Sequence, residues 1–239
     1  MEKEQKTKKK ENPLISILVS IVIPAIILSK FSKPEYLGVL SGFLIALAFP
    51  IIQSLYDIIV NKKAGLIAII GFISIFLTGI IGILELPSQW MAYKEASVPL
   101  LIGIAVVVSL KTPYPLIKKL FYNEDLIEVK KIDAILIENN SKEKFEKIMR
   151  NATYMIAASF LLSAILNFIL TKIIIQSPTG TEAFNEELGK LTALSYPIIA
   201  LPSTLVMFVA LWYLFNQLKK ITNLSIEDMM SESLKNKSK

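Results

Sequence analysis

Residues 151–171 read NATYMIAASFLLSAILNFILT, 21 positions without a charge, closed by Arg150 on one side and Lys172 on the other. About 20 apolar residues in an α-helix cross the roughly 30 Å hydrocarbon core of a bilayer, so this stretch predicts a membrane span. Working outward, five more uncharged runs occur at 12–29, 36–56, 64–84, 96–110 and 191–218, with lengths of 18, 21, 21, 15 and 28 residues. The predicted fold is all-α: an integral membrane bundle of six transmembrane helices at about 13–30, 36–60, 64–84, 91–110, 151–175 and 191–218. Short interfacial helices are expected in the 111–150 loop. A basic N-terminus (1–12) and a basic tail (219–239) flank the 13–218 membrane domain.

Composition narrows the chemistry. Of the 239 residues 53% are hydrophobic, and the 19% that are charged crowd into the termini and one loop. Outside the spans the longest polar segment is about 40 residues, short of an ordinary catalytic domain. Cysteine and histidine are absent, which removes disulfides, thiol and imidazole chemistry and the commonest zinc and iron ligands. No cofactor or metal site is expected. The net charge of +6 sits on cations that flank apolar runs, a pattern of membrane topology and not of nucleic-acid binding. Five lysines in 1–10 followed by an apolar run from Leu14 imitate a signal peptide, but no small-x-small cleavage site follows. The run is read as a retained first span.

Lysine and arginine counts orient the bundle. With six spans, one side holds the N-terminus, Lys62 and Lys63, the 111–150 loop and the tail, 21 cations in all; the other holds Lys30, Lys33, Lys94, Lys172 and Lys190. The positive-inside rule then predicts both termini on the cytoplasmic side of the membrane. In the 111–150 loop, Pro113 and Pro115 end the fourth span. Leu116, Ile117, Leu120 and Phe121 share a face with Lys118 and Lys119 on its flank, which predicts an interfacial helix contacting the bilayer and its anionic lipid head groups. Ile127, Ile132, Ile135 and Leu136 predict a second amphipathic segment, and Ser141 a cap before Phe145, Ile148 and Met149. The tail predicts a brief helix near Ser225–Leu234.

Inside the membrane, Gly38, Gly42 and Ala46, and Ala64, Ala68, Gly71, Ser74, Thr78 and Gly82, form small-residue stripes that predict a close hairpin of spans two and three. The Gly38/Gly42 face is equally suited to a homo-oligomer. Ser159, Ser163, Asn167 and Thr171 lie on one face of span five, either bonding between helices or walling a polar cavity. The fourth run is short. Completing it takes in Met91–Glu95 and carries Lys94 and Glu95 to the membrane boundary, with Trp90 and Tyr93 as interfacial aromatics. Neighbouring helix positions point apart, so Lys94 and Glu95 are expected to seek separate partners among Glu85, Asn185 and Glu186, or to reach for water. Pro24, Pro50, Pro197 and Pro202 are read as kinks.

Several blocks carry a resemblance. They are Ser54-Leu55-Tyr56-Asp57-Ile58 before a basic turn, Trp90-Met91-Ala92-Tyr93-Lys94 leading into a span, and Lys111-Thr112-Pro113-Tyr114-Pro115-Leu116-Ile117-Lys118-Lys119-Leu120 after it. Asn151 and Asn167 in span five, and Phe184-Asn185-Glu186-Glu187-Leu188-Gly189-Lys190-Leu191-Thr192 before the last span, complete the set. In order and spacing the chain resembles the intracellular septation protein A family of bacterial inner-membrane proteins, and a related uncharacterised six-helix family. Glu187, Lys190 and the longer 122–150 stretch depart from the former toward the latter. The resemblance implies envelope maintenance and association with division or elongation proteins; it supplies no biochemical activity.

Three functions are thereby set against one another. The first is a non-catalytic envelope protein with envelope or division proteins as partners. The second is a transporter or channel for small solutes or ions, with a polar cavity around Lys94, Glu95, Ser163, Asn167, Asn185 and Glu186. The third, a membrane enzyme using Glu85, Glu95, Glu182 and Glu186, lacks any recognisable motif.

Overall fold

The computed structural model describes residues 18–59, 66–113 and 115–231. The basic N-terminus, the opening of the first predicted span, the Lys62-Lys63 turn and the tail beyond Ser231 lie outside the described residues. What is described is helical, with no strand beyond an isolated bridge. Helix α1 covers 18–31, α2 Val39–Ile59, α3 Leu66–Ile83, α4 Gln89–Ser109, α5 Leu116–Phe121, α6 Val129–Glu138 and α7 Lys142–Ile174. Helix α8 runs Glu182–Thr222, and a single turn, α9, covers Ile226–Met229.

Among the described residues four helices are long and apolar enough to cross a membrane: Val39–Tyr56 within α2, then α4, α7 and α8. At about 1.5 Å per residue, the 33 residues of α7 and the 41 of α8 outrun a hydrocarbon core of about 30 Å. The 14 described residues of α1 and the described apolar stretch Ile73–Ile83 of α3 are shorter. Prolines leave a local mark. Helix α1 widens to π geometry at Leu18–Val22 and Ile27–Phe31 around Pro24, and α8 does so at Tyr196–Ala200, where Pro197 lacks the N–H of an ordinary turn. Pro50 and Pro99 sit inside α2 and α4.

The described residues divide into two compact units, one comprising those up to Glu95 with Phe168–Tyr196, the other those of Ala96–Asn167 with Pro197 to Ser231. In the first, α2 and α3 form the expected hairpin: Phe43 packs over Gly82 and Leu47 over Gly79, and Ala46 is fully buried. The glycine stripe of α2 does not act as one surface, however. Gly38 is a turn residue with φ +77° and open space around it, while Gly42 lies against Ser32 at the end of α1. A side chain at Gly189 of α8 would strike the Ala25 carbonyl of α1 at 2.8 Å, so this glycine permits the close approach of α1 and α8.

The second unit holds the largest departure from the sequence reading. Helices α5 and α6 form where amphipathic patterning places them, but the expected third loop helix is the opening of α7 itself. Ser141 precedes it, its hydroxyl donating to the Asn139 carbonyl. The loop does not stand alone. Ile117, Ile127, Ile132 and Leu136 bury together with Phe145, Ile148 and Met149 of α7, Leu214 and Leu218 of α8, and Met229 of α9. Residues of the tail clip onto the loop: Glu128 N–H donates to the Met229 carbonyl (2.9 Å) and Ser231 N–H to the Leu126 carbonyl (3.0 Å). The Ser231 hydroxyl adds a bond to the Asp125 carbonyl (2.8 Å). The tail helix stops at Met229 because Met230 and Ser231 take up this extended pairing; the rest of the predicted stretch, to Leu234, lies outside the described residues.

Candidate functional site

Lys94 lies in the second turn of α4 and is 8% exposed. An unpaired cation withdrawn this far from water costs several kcal/mol, so its neighbours matter more than its position. Its ammonium donates to Glu95 Oε1 at 2.6 Å and to Thr78 Oγ1 of α3 at 2.7 Å. The Thr78 hydroxyl donates its own hydrogen bond to the Ser74 carbonyl (3.1 Å), leaving a lone pair free for the lysine. The expectation that Lys94 and Glu95 part company is therefore corrected. Backbone directions do diverge at adjacent positions, but the four-carbon lysine stem is long and flexible enough to fold back. Glu95 keeps a quarter of its side chain exposed, so the pair stands at the edge of the apolar region with the lysine inward.

The other candidates are satisfied separately. Asn185, 1% exposed on α8, donates its amide to the Val39 carbonyl at 2.8 Å, tying the opening of α2 to α8. Glu186 is half-exposed and pairs with Lys190 one turn on, at 3.0 Å. In the second unit, Asn167 donates back to the Ser163 carbonyl of its own helix (2.8 Å), with the Ser163 hydroxyl at 3.4 Å. Ser159 likewise donates to Ile156 (2.7 Å). The polar face of span five thus bonds along its own backbone instead of across to a neighbour. Thr171 Oγ1 is buried and has no hydrogen-bond partner among the described residues.

Three groups escaped the sequence reading. Thr78 was legible only as a small residue on a stripe, yet it is the lysine's second acceptor. Glu187 takes N–H groups from Gln176 and Ser177 (both 2.9 Å) and the Ser177 hydroxyl (2.8 Å), pinning the turn that follows α7. Thr179 donates to the Leu86 carbonyl at 2.7 Å. These are loop-fastening bonds with no local signal beyond the polar residue itself.

Of the lysines expected to meet lipid, Lys118 pairs with Glu146 at 2.8 Å and stands 5.3 Å from the centre of the Phe145 ring. Lys119 is exposed. Nearby, Tyr122 donates to Asp133 Oδ1 (2.8 Å), and partial burial together with that carboxylate pushes its phenol pKa upward. Compared with protein-family models, with curated proteins and with solved structures, the chain matches none.

Proposed function

We propose that this is a six-span protein of the bacterial inner membrane, with both termini cytoplasmic and a non-catalytic role in organising the cell envelope. The observation that carries the non-catalytic part is the disposition of Lys94: the buried charge among the candidates for chemistry or transport is held by Glu95 and by Thr78 of a second helix. Asn185 and Asn167 are likewise engaged by backbone carbonyls. The Lys94–Thr78 and Asn185–Val39 bonds fasten helices together, while Asn167 is satisfied within its own helix. Six spans and cytoplasmic termini are supported by the 21-to-5 partition of lysine and arginine. The link to septation or elongation proteins is supported by the sequence blocks around Trp90–Lys94, Lys111–Leu120 and Phe184–Thr192. The folded loop-and-tail unit, with Ile137 75% exposed on α6, offers such partners a surface.

Deletion of the protein tests the role, scored by cell length and survival of osmotic downshift, with wild-type and Lys94→Ala copies returned at matched membrane abundance. The envelope reading expects a defect that both copies repair. A silent deletion removes the envelope role. A defect that Lys94→Ala leaves unrepaired favours the second reading, a small transporter, which the burial of Lys94 supports; proteoliposome flux then decides it.

A further inference from the structure

We infer that the second unit carries a seat for one anionic phospholipid, its acyl chain in a groove between α4 and α7 and its phosphate against Lys147 and Arg150. The groove encloses about 390 Å³, within the range of about 300–1,000 Å³ usual for small-molecule sites. Gly103 and Ala157 form its floor. Were Gly103 to carry a side chain, its Cβ would lie 3.1 Å from Phe160 Cβ, so the floor depends on that glycine. Ile104 and Val107 form one wall, and Tyr154, Ala158 and Leu161 the other; these wall residues are exposed and, Tyr154's hydroxyl apart, wholly apolar. From Leu100 to Val108 the groove follows nine residues of α4, about 12 Å from first to last at 1.5 Å per residue, close to one leaflet of a core about 30 Å thick.

The occupant's charge follows from the end of the groove. Its α7 wall, Tyr154, Ala158 and Leu161, continues backward at helical spacing to Arg150 and Lys147. On α4 the Ile104–Val107 face continues to Lys111 in the turn beyond the helix. None of these three cations enters an ion pair among the described residues, although all are exposed. A recess of about 640 Å³ opens beside Lys147 and Arg150, where cations outnumber carboxylates four to two. One of those carboxylates, Glu146, is held by Lys118, and the other, Glu143, lies one turn before Lys147. An apolar slot one leaflet long, ending in unpaired cations at the point where α7 turns from uncharged to charged sequence, matches a lipid with a single negative headgroup. A zwitterionic lipid would fill the slot too, but its choline cation offsets the attraction of its phosphate to these cations.

The inference rests on α4 and α7 being spans, not on the envelope role. Extraction of membranes with alkaline carbonate checks that premise first: release of the chain removes the membrane reading itself. Native mass spectrometry of the full chain, released from detergent with phosphatidylglycerol and phosphatidylcholine at equal concentration, then tests the seat. Phosphatidylglycerol is expected to be retained about tenfold over phosphatidylcholine, a preference worth about 1.4 kcal/mol. Lys147→Gln with Arg150→Gln should bring the two lipids to parity, whereas Lys130→Gln with Lys131→Gln, the same charge loss on α6, should not. Ala158→Leu, which extends an exposed side chain into the slot, should reduce retention of both. Equal retention by the wild type, or a preference that survives loss of Lys147 and Arg150 or falls equally with the α6 pair, overturns the seat.

Discussion

Lys94 and Lys118 each meet a glutamate at hydrogen-bond distance, 2.6 Å and 2.8 Å, in two differently built parts of the molecule. Lys94 is buried among apolar helices and has a second acceptor in Thr78. Lys118 is a third exposed, its partner half-exposed, and it rests on the Phe145 ring. Geometry alone would rank the two pairs together; dielectric separates them. Where water is excluded, removing one partner strands the other ion, and where water is present it replaces the lost partner. The first unit is thus fastened by a few polar bonds in an apolar setting. The second is fastened by an apolar cluster in a polar sequence. Each is most vulnerable where it holds its minority chemistry.

The most severe break should come from the apolar cluster. Phe145→Ala removes a ring buried among Ile117, Ile132 and Leu218, with an expected loss of about 3–5 kcal/mol. Limited proteolysis should then cut within 111–140 while the membrane-embedded segments stay protected; uniform cleavage of the chain would show that the units are not separable. Next in size is Lys94→Met, expected to cost about 3 kcal/mol, the low end for a broken buried pair because Glu95 keeps some contact with water. Adding Glu95→Gln should recover most of that loss in a detergent thermal-unfolding assay, and a double variant as weak as the single would contradict the stranded-ion account.

Asn185→Ala follows, at about 1–3 kcal/mol, since it leaves the Val39 carbonyl without its donor. Lys118→Gln should cost less than about 1 kcal/mol and become undetectable at high salt, which is the sharpest form of the contrast with Lys94. Tyr122 supplies a pH test of the second unit. Its folded pKa is raised, chiefly by burial and then by Asp133, so its contribution is complete below the ordinary tyrosine value of about 10 and is lost as pH climbs beyond it. Tyr122→Phe should abolish that alkaline loss, as followed by near-ultraviolet circular dichroism.

The contrast also explains what could be read from the chain. Uncharged runs announce helices because the bilayer requires every backbone group to be bonded within the segment, so α2, α4, α7 and α8 stand out by length and hydropathy. Lys94 and Asn185 were legible as polar groups in apolar company. Their partners were not: Asn185 meets Val39 across 146 positions, and Lys94 turned to a neighbour that helix geometry points elsewhere. The 111–150 loop shows the limit most plainly. Periodicity predicted α5 and α6, but an apolar face does not say whether lipid or protein covers it. Ile117, Ile127 and Ile132 are covered by α7, α8 and a tail whose Met229 carries no sequence sign of that destination.

The pairing of Ile127 with Met230 also sets an order of events on the ribosome. Roughly 5–20 s of synthesis, at about 5–20 residues per second, separate the two residues. Throughout that interval the loop lacks the part of its cover that Met229 supplies. This unit accordingly cannot close until Met230 has been made, and any chain that stops before that residue lacks the segment that covers its loop.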